Sequence, residues 1–239
     1  MLRRQVSWSS GRGGSNRLGA FRWAIGLCAG SGQSTPCPCD SAYSRESVSS
    51  DSWSKYAWVD GPSLNDDLMA GCLGVIVGAD ETWVARCLAV DEGSRRLAVV
   101  REAWELSESD FGNDLVQIST IGGAVVTYEP NGWHGVQEDV AIALSQRGRY
   151  AAYFWNVNAV MRFIFADAGR VRRDFDPLLY DGERALPEEV DLPFPSGDES
   201  SLTPGQASLA LIERLTGVEI TREWLLETAH PTYRVDTEM

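Results

Sequence analysis

Lysine is almost absent from these 239 residues: Lys55 is the single lysine among 21 basic side chains. So lopsided a ratio reads as GC-rich coding bias more than as a requirement for guanidinium chemistry. Histidine is nearly as scarce, with only His134 and His230. No complete catalytic, metal or nucleotide motif stands in the chain. Gly71, Gly74 and Gly78 lack the G-x-G-x-x-G spacing of a dinucleotide site, and no serine sits in a nucleophile elbow. The sequence therefore names no reaction and no cofactor.

Cysteine is sparse and irregular, at Cys28, Cys37, Cys39, Cys72 and Cys87. An odd count without framework spacing fits reduced cytoplasmic thiols better than a disulfide scaffold. Cys28, Cys37 and Cys39 lack the fourth ligand that a structural zinc site needs, so no metal is expected. Cys72 and Cys87 fall in apolar patterns and read as small core residues. Long hydrophobic runs are missing as well. The uncharged stretch Tyr150–Met161 is far short of the ~20 residues a bilayer requires. Arg3 and Arg4 precede a weakly apolar segment, but Arg22 interrupts it and Leu27 stands before Cys28, where a lipoprotein signal needs a small residue.

The formal charge is −13 and its distribution is uneven. Residues 1–50 hold six Arg against Asp40 and Glu46, which leaves −17 for residues 51–239. That balance disfavours nucleic acid and anionic membrane and favours a basic protein partner through steering. Residues 1–54 contain thirteen Ser and seven Gly without a sustained hydrophobic period, too little apolar material to offset ordering entropy. A disordered arm over 1–52 is the expectation. A start codon assigned too far upstream is an alternative source of it.

Order is expected from about Trp53. The run "AGCLGVIVGA" (70–79) suits a buried strand. Asp80 caps a helix over "DETWVARCLAV", with Trp83, Val84, Cys87 and Leu88 on one face. A second helix is predicted over Arg95–Leu106. Leu115–Thr120 and Ala124–Glu129 form a hairpin through Gly122-Gly123, a pair that can take positive φ. Pro130-Asn131-Gly132 ends it, and a helix follows over Val136–Gln146. A long acidic loop covers 176–203. Thr203-Pro204 opens a helix to about Thr216, and Thr221 caps a short one carrying Trp224.

Within "YFWNVNAV" (153–160), Asn156 and Asn158 have two readings: a hairpin turn, or amides that hold a ligand. As a three-residue loop, Asn158 takes the left-handed position and the Asn156 side chain bonds the backbone two residues on. A like loop at Asp167-Ala168-Gly169 completes a meander of 150–155, 159–166 and 170–175. Its pairing sets Trp155 opposite Ala159 and Tyr153 opposite Met161. One face then carries Ala151, Tyr153, Trp155, Met161, Phe163, Phe165, Val171 and Phe175. Each large side chain buried is worth roughly 1.5–3 kcal/mol, which fixes that face inward. The other face mixes Tyr150, Phe154 and Ile164 with Arg162, Arg170 and Arg172. Either a helix or the acidic loop covers it, or it is a groove with an aromatic floor and a guanidinium rim.

Glu129 and "NGWHG" (131–135) form the other candidate cluster. His134 stands between Trp133 and Gly135 ahead of a helix, where a base beside Glu129 or Glu138 would sit. No third ligand or nucleophile accompanies it, so a capped turn with an exposed histidine is the plainer reading. His230, after the last helix, reads as a surface residue. The candidate binding residues are therefore Glu129, Trp133, His134, Phe154, Asn156, Asn158, Arg162 and Arg172, with no catalytic residue assigned.

"YEPNGWHG", "YFWNVNAVMRFIFADAGRVRRDFDP" and "ALIERLTGVEIT" together resemble the characteristic blocks of a domain-of-unknown-function family common in actinobacteria. Its members show an Asn-Gly-Trp turn, a Trp-Asn-Val-Asn block and a Phe-rich hairpin. The resemblance spans roughly residues 53–228. It implies no activity, and the Gln that its members often carry at the position of His134 argues against a catalytic role for that residue.

Taken together, these elements predict a single α+β domain over 53–239. Its antiparallel sheet has about six strands, with helices packed mainly on one face. The function expected is that of a cytoplasmic, non-enzymatic protein-binding module of immunity or regulatory type, acting through an acidic surface. The alternative is a small-ligand or enzyme pocket between the "NGWHG" turn and the "WNVN" loop.

Overall fold

Asp80 and the Gly122-Gly123 pair act as their chemistry dictates, and much of the fold follows from such local devices. In the computed structural model, residues 53–60, 69–109, 114–180, 186–195 and 203–235 are described. They all fall in one compact unit, Glu46–Met239. The arm expected over 1–52 lies outside the described residues.

Strand β1 (Gly71–Val77) is apolar on both faces because it lies inside the sheet, between β4 (Ala124–Pro130) and β5 (Arg149–Trp155). Helix α1 (Glu81–Cys87) starts where Asp80 Oδ1 accepts from the Trp83 amide at 2.8 Å. Strand β3 (Asp114–Ile121) meets β4 through Gly122 (φ 56°) and Gly123 (φ 87°), the left-handed pair of a type I′ hairpin. The helix expected over Val136–Gln146 is shorter, with α3 at Glu138–Leu144 and single 3-10 turns at His134–Val136 and Ser145–Arg147.

Eight strands, not six, make up the antiparallel sheet of the described residues, in the order β2-β8-β3-β4-β1-β5-β6-β7. Both additional strands come from one pairing. The C-terminal segment His230–Val235 (β8) inserts between β3 and Val90–Ala98 (β2). Arg95–Ala98, expected to be helical, is thereby drawn into a strand, and helix α2 begins only at Val100 and runs to Ser109. Ladder partners supplied from far along the chain override a weak local helix pattern.

The meander of β5, β6 (Met161–Asp167) and β7 (Arg170–Phe175) forms as expected, but with a different register. Trp155 pairs Met161 and Tyr153 pairs Phe163, two residues from the predicted partners. The connection 156–160 is correspondingly longer, and Ala159, not Asn158, takes positive φ (55°). A two-residue shift leaves every side chain on its own face. Tyr153, Phe163 and Phe165 therefore still point into one core. The β6–β7 loop is a two-residue turn, Ala168 (φ 49°) and Gly169 (φ 72°). An irregularity in the pairing at Phe165 and Ala166 accompanies the transfer of Val171 to the opposite face.

Helices cover both faces of the sheet, not mainly one. On the first face, α4 (Pro204–Thr216) packs over β1 and β5, and α5 (Arg222–Glu227) adds Leu225 to the core that holds Leu73, Tyr153 and Phe163. On the second, α1 and α3 seal Tyr150, Ala152 and Ile164. Of the two covers considered for that second face, a helix is therefore the one present. The start of α4 is held from a distance, since Asp60 accepts from the Gly205 and Gln206 amides at 3.2 and 2.9 Å.

Candidate functional site

Strand β4 ends in a carboxylate that folds the following turn around itself. Glu129 is 3% exposed. Its Oε2 accepts from the His134 amide and its Oε1 from the Gly135 amide, both at 2.8 Å. Asn131, at φ 55°, turns the chain back over the sheet, a conformation asparagine tolerates. Gly135 then passes so close that a Cβ there would lie 2.5 Å from Tyr150 Oη and 3.0 Å from Glu129 Oε1. Tyr150 Oη donates to the Gly135 carbonyl at 3.0 Å, which closes the clamp.

Burial dominates the electrostatics. Desolvation pushes the Glu129 carboxyl up to about 7, against the pull of the two amide bonds, and Asp114 adds to the rise. The adjacent Cys72 thiol is pushed well up by burial and then by the Glu129 charge. His134 Nε2 lies 3.5 Å from Asp114 Oδ2 at the start of β3. Trp133, on the same turn, is 54% exposed.

Register places Glu129, Cys72, Phe154 and Arg162 in one row of neighbours across β4, β1, β5 and β6. Three strand spacings make that row roughly 15 Å long. The sheet thus brings Glu129, Phe154 and Arg162 together, with Trp133 and His134 on the turn beside them. Phe154 is half-buried under the second-face core. Arg162 is committed to Asp174, through Nε at 2.9 Å and Nη2 at 2.7 Å. Asn156 and Asn158 lie in the loop beyond the row. The Asn156 Oδ1 accepts from the Asn158 and Val160 amides at 2.9 and 3.1 Å, the Asx-type bond its position predicts. Arg172 is exposed on β7, the edge strand, apart from this group.

The partners that complete the cluster beyond the 131–135 turn, Cys72, Tyr150, Asp114 and Asp174, carry no motif of their own in the sequence. Only strand pairing assembles them.

Elsewhere, His230 is 3% exposed rather than on the surface, because β8 carries it into the sheet. Its Nε2 faces the Trp224 carbonyl at 2.8 Å, so that nitrogen carries the proton, and Nδ1 accepts from Ser119 Oγ at 3.1 Å. Burial lowers its pKa. A hollow of about 270 Å³ opens under α1, bounded by Glu81, Ala85, Glu92, Arg95, Ile118 and Tyr233, at the β2–β8–β3 side of the sheet. Among the described residues, no three His, Cys, Asp or Glu side chains gather as metal ligands, and no helix is long and apolar enough to cross a membrane.

Residues 50–238 match a family described as "Family of unknown function (DUF6461)". No curated protein and no solved structure matches.

Proposed function

The chain belongs to this family of unknown function, so no activity comes with its membership, and we propose from the geometry that it is a non-enzymatic protein-binding module. It is of immunity or regulatory type, works in the cytoplasm and meets a basic partner through its acidic surface. One observation carries the reading: the candidate ligand groups Glu129, Asn156 and Arg162 at the loop end of the sheet are spent on the fold itself. Glu129 holds the amides of its own turn, Asn156 holds its own loop, and Arg162 is paired with Asp174. Beside them this end exposes an indole and apolar loop side chains, Trp133, Val157 and Val160. The −17 carried by residues 51–239 supports a basic partner, through steering and through rejection of acidic competitors. The buried, unpaired Cys72 agrees with a reducing compartment.

A second reading keeps a small-ligand or catalytic site beside the 131–135 turn. It draws on the Glu129 carboxyl, raised to about 7, where a general acid or base would be tuned. Affinity capture from the native host with mass spectrometry, run beside a thermal-shift screen of metabolites, separates the two. A stoichiometric basic partner with no metabolite shift supports the binding module. A metabolite that raises the melting temperature of the native chain but not of Glu129→Gln, with no partner captured, overturns it.

A further inference from the structure

Seven large apolar side chains stand exposed among the described residues, and four of them sit at one end of the sheet. Met69 precedes β1, Trp133 follows β4, and Val157 and Val160 occupy the β5–β6 connection. The register fixes their closeness, since Gly71 pairs both Pro130 and Trp155, and Trp155 pairs Met161. Three separate loops thus converge within a span of roughly 15 Å across β4, β1, β5 and β6. Trp133, Val157 and Val160 are 54%, 69% and 51% exposed. Scattered surface apolar residues require no explanation, whereas a contiguous group rimmed by charge marks an interaction site.

The rim supplies the sign. Asp114 lies beside His134, Glu138 and Asp139 open α3 directly after the Trp133 turn, and Asp174 borders the row at Arg162. Arg162 and Asp174 satisfy each other, and against the remaining three carboxylates stands Arg172 on the edge strand. An exposed indole inside an acidic rim also accepts a cation on its ring face. The turn that carries the indole is moreover clamped from beneath by Glu129 and Tyr150, so little backbone ordering remains to be lost on binding.

We propose that this loop end is a docking surface for a basic, amphipathic segment of a partner protein. The apolar side chains of that segment seat against Trp133, Val157 and Val160, and its Lys or Arg residues meet the carboxylate rim. The inference rests on the binding-module reading above and adds to it the face used and the chemistry of the occupant.

The test uses the full chain against a displayed random-peptide library. Enriched peptides are expected to combine net positive charge with apolar residues and to weaken as salt is raised from 0.05 to 0.5 M. Trp133→Ala and Val160→Asp each weaken binding by roughly 30-fold or more, as a hot-spot residue does. Leu97→Asp and Val190→Asp, at exposed apolar sites elsewhere, leave it unchanged. Circular dichroism of each variant confirms the fold, since all four side chains are exposed. Enriched peptides that ignore Trp133 and Val160 overturn the docking surface while leaving the binding module standing. Acidic or uncharged peptides overturn the assignment of partner chemistry, and failure to enrich any peptide overturns the docking surface itself. A dimer in sedimentation that Trp133→Ala dissociates makes the occupant a second copy of the chain and overturns the basic-partner assignment.

Discussion

Glu129 shows how one residue can look like chemistry in the sequence and act as architecture in the fold. Its folded pKa, about 7, lies above its ordinary 4.5. The native state therefore holds an extra proton between those values. Stability from this group is complete below about 4.5 and is lost as pH rises through about 7, a decline of about 3 kcal/mol at 1.36 kcal/mol per unit. Glu129→Gln turns a donor toward one of the two amides and costs about 1–3 kcal/mol at pH 5. Urea denaturation is expected to show that deficit shrink by pH 8, because the variant lacks the wild-type decline. Asn156→Ala, by contrast, releases two amides at an exposed loop where water replaces the lost acceptor, and costs about 1 kcal/mol or less in the same measurement. The Asn156 bond was legible from the sequence because it is local. The Glu129 clamp was not, because its donors become neighbours only once Asn131 reverses the chain.

At the scale of elements, the legible features are those whose partners lie a few residues apart. The Asp80 and Thr221 caps and the Gly122-Gly123 hairpin stand where their chemistry dictates. The aromatic face of the meander was also legible despite the wrong register, since a slip of two preserves the alternation that the core reads. What the residues hid was the loop conformation. Asn tolerates the left-handed region, yet Ala159 occupies it at φ 55°. An alanine held there carries backbone strain, so Ala159→Gly is expected to stabilise the chain by up to about 1 kcal/mol, offset in part by the entropy glycine adds to the unfolded state. A melting temperature that falls would contradict that reading of the loop.

Across the whole molecule, the least legible feature is the insertion of β8 between β2 and β3. Pro231 lowers any strand signal in "HPTYRV", and its partners lie more than 100 residues away. The helix expected over Arg95–Leu106 begins only at Val100 for the same reason, because Arg95–Ala98 belongs to β2, a strand only through its pairing with β8. Thr232 is fully buried in that pairing. Removal of residues 229–239 would expose the unpaired edge of β3 and leave β2 without a ladder, so the truncated chain is expected to lose its cooperative urea transition rather than melt a few degrees lower. A retained transition would show the strand to be dispensable.

The same sheet gathers Glu129, Phe154 and Arg162, from opposite ends of a 34-residue stretch, beside the exposed Trp133. That the molecule works by presenting this end to another protein is tested most directly by hydrogen exchange on the full chain, alone and with the partner recovered from its host. Slowed exchange in residues 131–138 and 156–160 is the expected result. Protection confined to α1, β2 and β8 around the hollow at Glu81 and Tyr233, with the loop end unchanged, would contradict it.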